Sequence, residues 1–174
     1  MQFPAGEYFQ VRFTDVDFTD SKSSGNPMIV VSSEVVSPTE VEIGGEMVNI
    51  AGVEPKPMYF TTLTLHANGE VNVDKSAANK ERLSKLYNDL GLDFSKFDPQ
   101  NPDISVLKGL VVLCAMGADV EEQRRTPTAE QLAKKEKGTI MTHPVTGAKL
   151  VFYSPKVTEV YALAPAEGAG KPKY

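Results

Sequence analysis

The chain has 174 residues and a net charge of −5, with 41% hydrophobic and 24% charged residues. That is the size of one ordinary domain with a globular composition, which excludes a fibrous or wholly disordered chain. The longest apolar run, Leu110 to Met116, falls far short of the roughly 20 residues of a membrane helix. MQFPAGEYF has neither the basic nor the apolar region of a signal peptide, so a soluble protein of the cytoplasm is expected.

Residues 7–18, EYFQVRFTDVDF, alternate as a strand, with Phe9, Val11 and Phe13 on one face and Tyr8, Gln10 and Arg12 on the other. A polar loop over 19–26 closes at Gly25–Asn26 before Pro27. Residues 28–36, MIVVSSEVV, read as a second strand, and 41–48 as a small hairpin turning at Gly44–Gly45. Pro55 and Pro57 precede a third main strand, 58–66, in which Leu63 and Leu65 are read as inward and Phe60, Thr62 and Thr64 as outward.

The spacing of Leu83, Leu86, Tyr87 and Leu90 predicts a helix over 77–90, stopped by Gly91. After a Pro- and Asp-rich connection, 107–116 (LKGLVVLCAM) reads as a buried strand. Residues 117–148 form a long polar excursion. Within it TPTAEQLAKKEKG predicts a short helix capped by Thr126, with Pro127 in the first helical position and Gly138 closing it. The turn HPVTGAK leads to the last strand, 150–153 and 157–163, broken or bulged at Pro155. Residues 165–174 read as a flexible tail behind a single domain spanning 1–164.

The order is strand, strand, hairpin, strand, helix, strand, strand, with the helix between the third and fourth main strands. The expected fold is therefore mainly β: a five-stranded Greek-key barrel of the OB type, with an inserted hairpin and a long fourth-to-fifth-strand loop holding a short helix. Such a barrel sets two loops beside one open binding face. Here they are 19–26, carrying Lys22, and 117–148.

The charge is uneven along the chain. Residues 1–123 carry 9 basic and 19 acidic side chains, a net of −10, whereas 124–174 carry 9 basic and 4 acidic, a net of +5. Arg124, Arg125, Lys134, Lys135, Lys137 and Lys149 all fall on the long loop or its end, and Lys156 follows. A charge run alone is more often a solvated surface. Its placement on the loop where an OB fold receives oligonucleotides favours a polyanion partner.

Three segments resemble phage-type single-stranded DNA-binding proteins. SKSSGNPM (21–28) is similar to the element joining their first two strands, and LKGLVVLCAMG (107–117) to the strand after their helix. HPVTGAKLVFYSPKV (143–157) resembles their closing turn and strand. The resemblance implies an OB fold, sequence-tolerant binding to single strands in phage DNA replication or recombination, and a place in the host cytoplasm. Partners would be single-stranded DNA and phage or host replication and recombination proteins, with oligomers allowed. The chain departs from the cellular members in ending GKPKY rather than in an acidic tail, and in its hairpin at Gly44–Gly45.

No phosphate loop, nucleophile elbow, HExxH or CxxC pattern is found. Cys114, the single cysteine, excludes an internal disulfide and reads as a buried structural thiol. Asp15, Asp17 and Asp20 lack the glycine and distal Glu of a calcium loop. Neither an enzyme nor a metal or cofactor is expected. Single-strand binding needs only cations along a groove and flat rings for bases. The candidate nucleic-acid contacts are Tyr8, Arg12, Lys22, Phe60, Arg124, Arg125, Lys134, Lys135, Lys137, Lys149, Phe152 and Tyr153; each aromatic could instead cover a barrel end. The competing readings are a β-rich structural or protein-interaction module of a virion, and a carbohydrate-binding domain, against which the absence of Trp counts.

Overall fold

In a computed structural model, Phe3, Pro4 and residues 6–163 are described; the tail expected over 165–174 lies outside them. The strands are β1 (Tyr8–Asp20), β2 (Pro27–Ser37), β3 (Glu40–Ile43), β4 (Glu46–Asn49), β5 (Met58–Thr61), β6 (Val111–Glu122) and β7 (Val151–Ala162). The helices are α1 (Val73–Asp89) and the short α2 (Ala129–Ala133), with a 3-10 turn at Ile104–Val106.

The main sheet has five strands in the order β5-β2-β1-β6-β7, and each neighbouring pair is antiparallel. Its two outer strands approach at one point, where Lys56 N–H donates to Pro155 O at 2.9 Å and residues 56 and 156 form an isolated parallel bridge. β3 and β4 form a separate hairpin whose turn glycines, Gly44 and Gly45, both take positive φ, as a two-residue turn of the mirror-image type requires.

Alternation along β1 and β2 builds the core. Phe9, Val11, Phe13 and Val16 of β1 are buried, as are Ile29, Val31 and Val35 of β2. Val112, Cys114 and Met116 of β6 continue that layer, and Leu83 and Leu86 of α1 with Leu90 close on it. Burial pushes the Cys114 thiol up to about 12, so it stays protonated and unreactive. Tyr87 leaves the aliphatic row to join Phe94 and Phe97, with ring centroids 5.2 and 5.5 Å away.

Several boundaries differ from the sequence reading, each for a local reason. α1 begins earlier, at Val73, because the Asn72 side chain caps it by accepting from Lys75 N–H; that first turn buries nothing apolar, so periodicity does not reveal it. β5 ends at Thr61 rather than His66: Thr62 N–H still donates to Pro27 O, but β2 begins at Pro27, which has no N–H to return a bond, and Leu65 then pairs with Val71 in a tight return. α2 starts after Thr128, not Thr126: Thr128 and Gln131 form a reciprocal capping box, which leaves Pro127 just ahead of the helix. β7 runs unbroken through Pro155. The proline's nitrogen faces away from β6, so no ladder bond is lost, and the register shift falls instead opposite Thr158.

Candidate nucleic-acid interface

The sheet does not hold β6 and β7 along their whole length. β6 pairs with β1 only from Val111 to Ala115, yet pairs with β7 from Val112 to Glu122. Residues 117–122 and 151–156 therefore leave the sheet as a two-stranded ribbon. Val120 pairs with Tyr153 and Glu121 with Phe152, so the two rings point to opposite faces. Both are partly exposed, Phe152 at 42% and Tyr153 at 37%, where the ribbon has left β1. The face continuous with the core carries Ala118 with Pro155, Val120 with Tyr153, and Glu122 with Val151.

The opposite face of the ribbon base carries a charge network. Lys56 Nζ lies 3.2 Å from Asp119 and 2.5 Å from Glu121, and Lys156 Nζ lies 2.5 Å from Asp119. Ser154 donates to Glu121 at 3.0 Å. Lys156 and then Lys56 hold the Asp119 carboxyl below the ordinary carboxylate value. Lys56 and Ser154 do the same for Glu121, and Glu121 with Asp119 raises Lys56. The network pins the two sheet edges together where the backbone makes its single bridge.

The excursion beyond the ribbon is ordered by backbone pairing. Arg124 bridges Ile140 and Thr142 bridges Lys149, while Met141 N–H donates to Gln123 O at 2.8 Å. Gly138 is required there, since a Cβ would lie 1.7 Å from Arg125 O. Arg124 Nη1 donates to Gly138 O at 2.9 Å.

Arg124, Arg125, Lys134, Lys135, Lys137 and Lys149 all sit on this excursion and are exposed. Their states differ. Glu122 pairs with Lys149 at 2.9 Å and Arg124 at 3.2 Å, and Glu130 pairs with Lys134 at 3.2 Å. Among the described residues no ion pair involves Arg125, Lys135 or Lys137.

The remaining candidates stand apart. Asp20 pairs with Pro27, which puts Lys22 in the loop at the far end of β1, whereas the ribbon leaves past Tyr8 at its near end. Arg12 faces outward and pairs with Glu34 at 3.2 Å, on a surface that also carries exposed Asp15 and Asp17. Tyr8 is half-buried with its ring 5.9 Å from that of Tyr161. The orientation read for Phe60 is corrected. It pairs with fully buried Ile29 and packs on the core, while Tyr59 pairs with Val30 and is 62% exposed. The parity fails because it was anchored on Leu63 and Leu65, which lie beyond the end of β5. Tyr59, Val120 and Val151 are the exposed groups that the sequence reading missed; pairing with β2 would have placed Tyr59.

A groove of about 900 Å³ lies between β5, α1 and β7, lined by Met58, Phe60, Leu86 and Val160 with Arg82 and Tyr161. It does not include the excursion's cations. Among the described residues no helix is long and apolar enough to cross a membrane. No protein-family model, curated protein or solved structure matches the chain.

Proposed function

We propose that this chain is an OB-type barrel that binds single-stranded DNA without sequence preference, serving phage DNA replication or recombination in the host cytoplasm. The observation that carries this reading is the ribbon: cations clustered at its free end, with an exposed ring on each face of its strands. Single-strand binding asks for that combination and for no catalytic group. The strand order and the parallel bridge at Lys56 and Lys156 agree with an OB barrel closing between β5 and β7. The segments that resemble phage-type binding proteins fall at the β1–β2 loop, at the start of β6, and at the turn into β7.

In this reading the excursion's cations neutralise phosphates while Tyr153 and Phe152 offer faces to bases. The slope of log affinity on log salt is about −0.7 per phosphate neutralised on a single strand. With about four to six contacts it should be near −3 to −4. A titration of the full chain with a fluorescent oligonucleotide at several salt concentrations measures it. A flat salt response, or equal affinity for duplex and single strand, overturns the proposal.

The second reading, a β-rich virion module that binds protein, is favoured by the uncovered apolar face of the same ribbon, Val120 with Tyr153 beside Val151. It requires no salt-sensitive oligonucleotide binding.

A further inference from the structure

The cations of the excursion are not equivalent. Two of them are directed at a single carboxylate. Lys149 Nζ approaches Glu122 Oε1 at 2.9 Å and Arg124 Nη2 approaches Oε2 at 3.2 Å. The backbone places the bases of both side chains, and a carbonyl fixes one of the heads. The Arg124–Ile140 and Thr142–Lys149 bridges set both stems, and Gly138 O fixes the guanidinium through its other nitrogen. One guanidinium nitrogen and an ammonium, each on a different oxygen of one anion, form an arrangement that also receives a phosphate.

We propose that Arg124 and Lys149 form one phosphate subsite, and that Glu122 occupies it in the free protein as an internal anion that the nucleic-acid backbone must displace. The inference rests on the single-strand reading above and adds a brake to it. The Glu122 pairs are only partly screened from water, with side-chain exposures of 35% for Glu122 and Arg124 and 61% for Lys149. Exposed pairs of this kind stabilise little, so a phosphate can take the carboxylate's place. Glu122 lies next to Phe152's partner Glu121 and across from Val151, so a phosphate bound there would deliver its neighbouring bases to the ribbon's rings.

The test compares Glu122→Gln with the parent chain by oligonucleotide titration across salt. The variant should bind about threefold to tenfold tighter at low salt, the size expected from releasing two exposed pairs. Its salt slope should be more negative by about 0.7 to 1.4, one or two added phosphates. Glu122→Ala must repeat the gain. Glu46→Gln, on the β3–β4 hairpin, removes the same charge away from the excursion and must not. If the parent binds oligonucleotides and both Glu122 variants bind equally or more weakly, the brake is overturned while single-strand binding stands. If the parent binds no oligonucleotide, the functional reading falls, and inorganic polyphosphate becomes the probe. Tighter polyphosphate binding by Glu122→Gln than by the parent supports the anion subsite, and equal binding overturns it.

Discussion

The same two strands, β6 and β7, behave in opposite ways along their length. Where they lie beside β1, alternate residues are buried: Val112, Cys114, Met116 and Val160 all join the core. Beyond Met116 β1 no longer lies beside them, Lys56 meets only their base through the bridge to Lys156 and the bond to Pro155 O, and Val120, Val151, Phe152 and Tyr153 are exposed. An isolated two-stranded ribbon is marginal in water. This one is steadied by the Lys56 network at its base and by the paired backbone of the excursion at its tip. Apolar residues therefore mean stability in the sheet and availability in the ribbon.

The sharpest way to break that contrast is Phe13→Ala set against Tyr153→Ala. Phe13 is 2% exposed in the middle of the core, and truncating such a ring costs about 3–5 kcal/mol. The melting temperature should fall by roughly 10 °C or more. Tyr153→Ala should leave it nearly unchanged and instead weaken oligonucleotide binding by roughly 1–3 kcal/mol. A Tyr153→Ala variant that melts early while binding normally would make the ribbon part of the fold's core rather than a free arm.

Next in size is the joint replacement of Arg124, Arg125, Lys134, Lys135 and Lys137 by Ala. At about 0.5 kcal/mol for each exposed charge contact, affinity should drop on the order of thirtyfold or more. Removing Arg124 also removes its bond to Gly138 O, so circular dichroism should confirm that the sheet remains. Undiminished binding would move the interface off the excursion.

How far these contrasts could be read from the sequence depends on what each region buries. β1, β2, the hairpin and the Leu83–Leu90 face of α1 follow the apolar pattern, because burial on one face writes a period into the chain. The end of β2 at Pro27, and the buried Thr62 opposite it, leave no such trace, so an alternation anchored on Leu63 and Leu65 carries β5 too far and puts Phe60 on the wrong face. The ribbon was hidden for the same reason: GADVEE, residues 117–122, has no apolar face long enough to mark a strand, and only its pairing with VFYSPK makes it one. The cations were visible in composition. Their unequal partners were not, because the contact between Glu122 and Lys149 spans 27 residues.

The corrected face of β5 gives a third, smaller test. Phe60→Ala should lower stability by about 1–3 kcal/mol, less than a fully buried ring, since Phe60 is only half-buried against the core. Tyr59→Ala, at an exposed position, should change it by less than about 0.5 kcal/mol. The reverse ranking in thermal melts would shift the β2–β5 register by one residue and return Phe60 to solvent.

The smallest effect concerns the network that joins ribbon to sheet. Asp119 and Glu121 have folded values lowered from the ordinary 3.8 and 4.5, mainly by the hydrogen bonds from Lys156 and Lys56 respectively. A lowered carboxylate value means that the unfolded chain takes up protons first as pH falls. The contribution is therefore complete above those ordinary values and is lost as pH drops through and below them. Lys56 is raised from 10.5, so its share is complete below that value and fades as pH climbs through the raised one. Lys56→Met keeps the stem and removes the charge. It should melt slightly below the parent at neutral pH, with the gap narrowing toward pH 3, above about pH 11 and in high salt, because the side chains are 37–41% exposed and screened by salt. A gap that stays constant across pH and salt would mean that Lys56 holds the sheet edges through its backbone bond to Pro155 and its packing alone, and that the charges around it are passengers on the ribbon.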